Sequence, residues 1–107
     1  MEKRISNFRY ACKNYEIQKR WCGAYEKNQI NESTDSLEMS RYRLIKSNID
    51  YVERQFKTIE ENHGALAKQL IWECFVEGCK QKELAEVYGI PLRTIQRRFH
   101  EWLSCIE

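Results

Sequence analysis

Three side chains able to read a base edge stand close together near the carboxyl end of the chain: Arg93, Gln96 and Arg97. An arginine guanidinium donates in parallel to guanine O6 and N7, and a glutamine amide pairs in the same way with adenine N6 and N7. Steps of three and four residues bring such groups onto one face of a helix. On a helix over 92–103, Leu92 and His100 join that outward face, while Ile95 and Phe99 turn inward. Thr94 and Arg98 flank the face and suit phosphate. Lys80 and Lys82 add two more cations at the start of the preceding helix, whose own amino terminus also favours an anion. The chemistry these residues suggest is recognition of duplex DNA, with bases read at the centre and phosphates held at the edges.

Such a helix has to be held by a second one, and residues 81–99, QKELAEVYGIPLRTIQRRF, have the spacing for it. A helix-turn-helix needs a small residue where the second helix crosses the first, and Ala85 stands there. It needs a sharp turn four residues on, where φ is often positive, and Gly89 meets that need without a Cβ penalty. Leu84, Tyr88 and Ile90 are apolar residues placed to lock the two helices around the turn. Ile95, ten residues after Ala85, is the inward β-branched residue of the second helix. Pro91 fits just inside the start of that helix, where a missing N–H costs nothing. A bland reading of the same residues is an exposed polar helix face, but six matched positions favour DNA.

Other chemistries fare worse. Cys74, Cys79, His100 and Cys105 are residue types that bind zinc, yet four residues separate each pair where common zinc knuckles have two. Cys74 reads better as a small core residue, as do Cys12 and Cys22. No metal or other cofactor is expected. There is no glycine-rich phosphate loop, no nucleophile beside an evident base, and only two histidines, so the chain does not read as an enzyme. Trp21, Trp72 and Trp102 could stack on single-stranded bases, but aromatics at helical spacing are more often core or interface anchors. Trp102 is expected to close the core beneath the last helix. Trp21, beside Lys19 and Arg20, is a candidate partner surface.

The elements that must position the site all read as helices. Ile5, Phe8, Cys12, Tyr15 and Cys22 follow steps of three and four, with Lys19 in one slot, and predict one amphipathic helix over 3–27. Residues 28–36 are polar and form a connection, and Asp35 with Glu38 has capping-box spacing. Tyr42, Ile45, Ile49, Val52, Phe56 and Ile59 form a narrow seam along a helix over 36–61. Either the first helix folds back onto that seam or the same helix of a second chain covers it. Gly64 ends this helix. A third follows over about 65–78 with Leu66, Leu70, Ile71, Cys74 and Phe75 inward, and Gly78 marks its end. Short helices over 81–88 and 92–105 complete the chain. The expected fold is all-α, with an antiparallel helical hairpin over 1–63 and a three-helix DNA-binding unit over 64–107.

Composition sets limits on this reading. The chain has 107 residues, 42% hydrophobic and 32% charged, with a single proline. This suits soluble amphipathic helices and leaves little room for an enclosed active site. Net charge is only +2, but residues 1–28 carry seven basic and three acidic side chains and residues 29–62 carry five and seven. Positive charge thus gathers at the amino-terminal segment and on the last helix. Lys3, Arg4 and Arg9 break the first apolar run, and no run reaches the ~20 residues of a membrane span. The expected location is the cytoplasm, with the five cysteines reduced.

Residues 66–103, LAKQLIWECFVEGCKQKELAEVYGIPLRTIQRRFHEWL, resemble region four of sigma factors. The resemblance lies in a helix ending at Glu77-Gly78, a KELAEVYGI support helix and an RTIQRRFHEWL recognition helix. With an amino-terminal hairpin of about sixty residues added, the layout is similar to small phage regulators of the RinA/ArpU late-transcription type. The resemblance implies a transcriptional regulator that acts on promoter DNA with RNA polymerase, its hairpin either forming a homodimer or touching the polymerase. Two positions depart from the family: Pro91 stands where serine is common, which removes the usual side-chain cap, and Arg98 stands where an apolar residue is common. The rival expectation is a protein-interaction or assembly module, of terminase small-subunit or coiled-coil adaptor kind, working through the 42–59 seam.

Overall fold

The computed structural model describes residues 3–28 and 36–107. Among them are six α-helices and no strand: α1 Lys3–Lys13, α2 Tyr15–Asn28, α3 Ser36–His63, α4 Ala65–Phe75, α5 Gln81–Tyr88 and α6 Leu92–Trp102. A 3-10 turn, Leu103–Cys105, continues α6. The fold is all-α. No helix among the described residues is long and apolar enough to cross a membrane. Asp35, the expected capping residue before α3, lies outside the described residues.

The single helix expected over 3–27 is two. Asn14 forms a one-residue turn between α1 and α2, and its side-chain amide donates to the Tyr10 carbonyl at 3.2 Å. A short polar side chain that bonds nearby backbone competes with the helical ladder. The break keeps the helical phase, so Phe8, Cys12, Tyr15 and Cys22 are all buried on one side, as their spacing requires.

The spine is α3. Its 28 residues make a rod roughly 42 Å long, in a molecule measuring 54 × 25 × 23 Å. The seam along it is filled from within the chain. Ile49, Val52, Phe56 and Ile59 are at most 2% exposed and pack in one core with residues of α1, α2 and α4. Tyr42 and Ile45, nearer the amino end of α3, are half-buried. The pairing with α2 is antiparallel: Tyr15 bonds Glu53, Asn48 bonds Gln18 at 2.6 Å, and Tyr42 bonds Glu26. The covered stretch from Ile49 to Ile59 offers no apolar face to a second chain.

One contact of that pairing has a predictable pH response. The Glu53 carboxylate accepts from Tyr15 Oη at 2.6 Å and from the Lys19 ammonium. Lys19, then Tyr15, hold the Glu53 carboxyl below the ordinary carboxylate range. A depressed carboxylate stabilises the fold above its unfolded pKa, and that contribution is lost as pH falls through the folded value. Glu53→Gln is therefore expected to lower stability near neutral pH and to match the parent in acid. Lys19 and Glu53 side chains are 56% and 41% exposed, so the difference stays below about 1 kcal/mol after solvent screening. Urea unfolding of both proteins across the acid range measures it.

The corner between α3 and α4 is one residue. Gly64 has φ 97° and ψ 173°, a conformation closed to residues with a Cβ. Its N–H closes α3 on the Glu60 carbonyl at 2.9 Å, and its carbonyl receives the Lys68 N–H of α4 at 3.3 Å. Beyond the corner, Ala67, Leu70, Ile71, Cys74 and Phe75 are buried. Leu66, expected inward, is 44% exposed, and Ala67 takes the inward position. A one-residue corner brings α4 close to α3, and the small side chain fits that approach. The inward stripe follows steps of three and four from Ala67, so Leu66 falls one position outside it.

The core is continuous from α1 to the carboxyl end. Phe8 of α1 lies 5.3 Å from Phe56 of α3 and 5.7 Å from Phe75 of α4, centroid to centroid. Trp72 lies edge-on to both Phe56 and Tyr15, at 5.0 and 5.3 Å. The tail after α6 turns back onto α3, burying Leu103 and Ile106. Gln55, a buried polar residue of α3, accepts the Glu107 N–H at 3.2 Å. Arg4 of α1 donates to the Ile106 carbonyl at 3.1 Å.

Candidate nucleic-acid interface

The turn between α5 and α6 is set by Gly89. Its φ of 65° and ψ of 31° place it in the left-handed region, where glycine avoids the Cβ clash. The Gly89 N–H and the Ile90 N–H, at 3.1 Å for the latter, both return to the Ala85 carbonyl and close α5. Pro91 follows with φ −55° and ψ 140°. It is the cap of α6, not its first residue, because its extended ψ leaves the helix to begin at Leu92. Its ring nitrogen has no proton to leave unpaired, and its carbonyl accepts the Ile95 N–H at 3.0 Å. No side chain caps α6.

Leu84, Ile95, Phe99 and Trp102 are buried and belong to the common core. Ala85, Tyr88 and Ile90 are partly buried and pack against it. Phe99 packs between Phe75 of α4, edge-on at 6.4 Å, and Trp102, tilted at 5.9 Å. Trp102 thus closes the core beneath α6. Tyr88 ties the end of α5 to α4: its hydroxyl donates to the Glu73 carboxylate and accepts from Gln69 Nε2 at 2.9 Å. The Glu73 carboxylate beside it, then burial, raise the Tyr88 pKa. These contacts fix the rotation of α6 about its own axis.

With Ile95 and Phe99 inward, Leu92, Arg93, Gln96, Arg97 and His100 are exposed. Leu92, Arg93, Gln96 and Arg97 cover the first two turns, and His100 lies in the last turn, roughly 12 Å further along the axis than Leu92. Thr94 and Arg98 are half-buried at the border of the face. Among the described helices, none separates apolar from polar residues more sharply than α6. The arrangement offers two guanidinium forks and an amide on a rigid rod whose far side is locked in the core.

Lys80 and Lys82 are both exposed at the start of α5. Lys80 has φ −78° and ψ 150° and is the cap residue. Its N–H donates to the Glu83 carboxylate at 3.0 Å. That carboxylate lies in the first turn of α5 and supplies the negative charge the helix terminus favours. The Glu83 carboxylate thus puts negative charge at this terminus, beside the two exposed lysine side chains.

The cysteines have structural surroundings. Cys12, Cys22 and Cys74 are buried in the apolar core. Burial pushes the Cys12 thiol up to about 12 and raises those of Cys22 and Cys74, which keeps them protonated and unreactive. Among the described residues, no group of three His, Cys, Asp or Glu side chains is placed to hold a metal ion. Trp21 stacks on Tyr25 at 5.3 Å, and Tyr25 on Tyr42 at 4.7 Å, so Trp21 is the half-buried end of a ladder between α2 and α3. Trp72 is half-buried and packs edge-on against Phe56 and Tyr15.

The fold and this surface define an all-α protein that presents a basic helix face on a packed support. Comparison with protein-family models, with curated proteins and with solved structures finds no match to the chain.

Proposed function

We propose that this protein is a sequence-specific regulator that binds duplex DNA by placing α6 in the major groove. The observation that carries the reading is the locked rotation of α6: Ile95 and Phe99 bury one side and leave Arg93, Gln96 and Arg97 exposed together on the other. In a helix-turn-helix, residues near the amino end of the second helix reach the base edges. Arg93, Gln96 and Arg97 are the base readers; Thr94, Arg98, Lys80 and Lys82 hold phosphate; Leu92 and His100 border the contact. The reaction is binding alone, with no catalytic step.

The sigma-like role is part of the proposal and rests on residues 66–103. In it the amino-terminal hairpin over 1–63 meets RNA polymerase or a second copy. The rival adaptor reading keeps less of its 42–59 seam to work with, because Ile49, Val52, Phe56 and Ile59 are buried inside the chain while Tyr42 and Ile45 stay half-buried. Selection from random-sequence duplex DNA tests the proposal. Enrichment of one defined motif is expected. A palindromic motif with half-sites about one helical turn apart reports a dimer, and an asymmetric one reports a monomer. No enrichment at low salt overturns the reading.

A further inference from the structure

We infer that the DNA-binding surface extends beyond α5 and α6 onto α1, where Arg9 and Lys13 share a groove with Lys80 and hold a stretch of phosphodiester backbone. This rests on the DNA-binding reading above. The groove encloses about 780 Å³ between α1 and the segment that leads into α5. One wall is the outward stripe of α1: Ser6, Arg9, Tyr10 and Lys13 follow steps of three and four, on the side away from buried Phe8, Ala11 and Cys12. The facing wall is Lys80 and Gln81, beside Gly78.

The lining has the chemistry of a phosphate track. It presents three cations, and its other polar side chains (Ser6, Tyr10 and Gln81) can all donate hydrogen bonds. No aspartate or glutamate lines it. Glu83, Glu77 and Glu73 are close enough to act on Cys79 at its edge and keep their charge, so the phosphate path lies toward Arg9 and Lys13, away from that edge. Among the described residues, Arg9, Lys13 and Lys80 form no ion pair. Arg9 is already placed: its guanidinium lies over the Phe75 ring at 5.4 Å from the centroid. That stacking leaves the guanidinium edge, which carries the N–H donors, free to meet an oxygen.

Position along the fold selects the occupant. In a helix-turn-helix complex the first helix crosses the sugar–phosphate backbone. Here that helix is α5, and the groove opens at its first residues, Lys80 and Gln81. A backbone that passes the start of α5 runs directly between Lys80 and the Arg9–Lys13 stripe. An acidic protein segment would meet the same cations, and the test separates the two.

The test compares the parent, Arg9→Gln/Lys13→Gln, and a control of equal charge change, Lys27→Gln/Lys57→Gln, on the duplex that the parent enriches. Glutamine keeps part of each stem over the groove, and Lys13→Gln alone serves where the double variant is less stable by thermal unfolding. Each phosphate contact contributes about 0.9 to the slope of log affinity against log salt. The groove variant is expected to lower that slope by about 2, or by about 1 for Lys13→Gln alone. It should also lose backbone protection in hydroxyl-radical footprinting beside the α6 site, with the enriched motif unchanged. The control should do neither. A groove variant with the parent's slope and footprint overturns this inference and leaves the α6 reading intact, as an acidic protein occupant would require. A parent that binds no duplex overturns both.

Discussion

Phe56→Ala is expected to destabilise the protein by about 3–5 kcal/mol, the usual range for deleting a buried phenyl ring. The lost ring is 2% exposed and lies against Phe8 and Trp72, so one truncation opens a cavity bordered by α1, α3 and α4. Neighbouring rings cannot easily collapse into that space. Phe8 is held from its other side by Phe75 and Tyr51, and Trp72 by Tyr15. A domain of this size is stable by about 5–15 kcal/mol, so the loss is a large part of the total. With a urea dependence of about 1–3 kcal/mol per molar, the unfolding midpoint should fall by on the order of 2 M. Leu44→Ala is the matched control: Leu44 is on the same helix but 74% exposed, and its removal should move stability by no more than about 0.5 kcal/mol. Equal midpoints for Phe56→Ala and the parent would mean that the three helices do not share this core.

That core explains which parts of the molecule the sequence could disclose. The α3 seam was readable because its period is long and unbroken, and four of its six residues are deeply buried. The α5–α6 turn was readable because Gly89 and Ala85 answer steric needs that few residues meet. The break at Asn14 was hidden because it preserves the helical phase: a pattern that resumes in step looks continuous. Leu66 reads as inward by its apolarity, whereas beyond the close corner at Gly64 the smaller Ala67 is the buried residue. The return of the tail onto α3 depends on long-range contacts, from Gln55 to Glu107 and from Arg4 to Ile106. Sequence periodicity carries no trace of these, although Leu103 and Ile106 at a helical step were a signal that the chain stays apolar there. Arg9 and Lys13 were visible only as part of a basic segment, because the groove they share with Lys80 joins residues about seventy positions apart.

Within the DNA-binding reading, Arg93→Ala/Arg97→Ala is expected to weaken binding to the enriched duplex by roughly a hundredfold or more. Each arginine that grips a guanine with two parallel bonds contributes about 1–3 kcal/mol of discrimination, and about 1.4 kcal/mol is tenfold in affinity. Both side chains are exposed, so the unfolding midpoint should not move, and loss of affinity cannot be charged to loss of fold. The lysine pair Arg93→Lys/Arg97→Lys separates base reading from simple charge. Lysine keeps the positive charge but lacks the planar fork that fits a guanine edge. If the arginines read bases, the lysine variant binds scrambled duplex as the parent does, with a similar salt slope, while its preference for the enriched site falls. If they only touch phosphate, lysine restores both affinity and preference, and sequence reading must come from Gln96 or from the shape of the DNA. Gln96→Ala then decides between those two, because an amide that reads adenine relaxes the motif at one position and leaves the others unchanged.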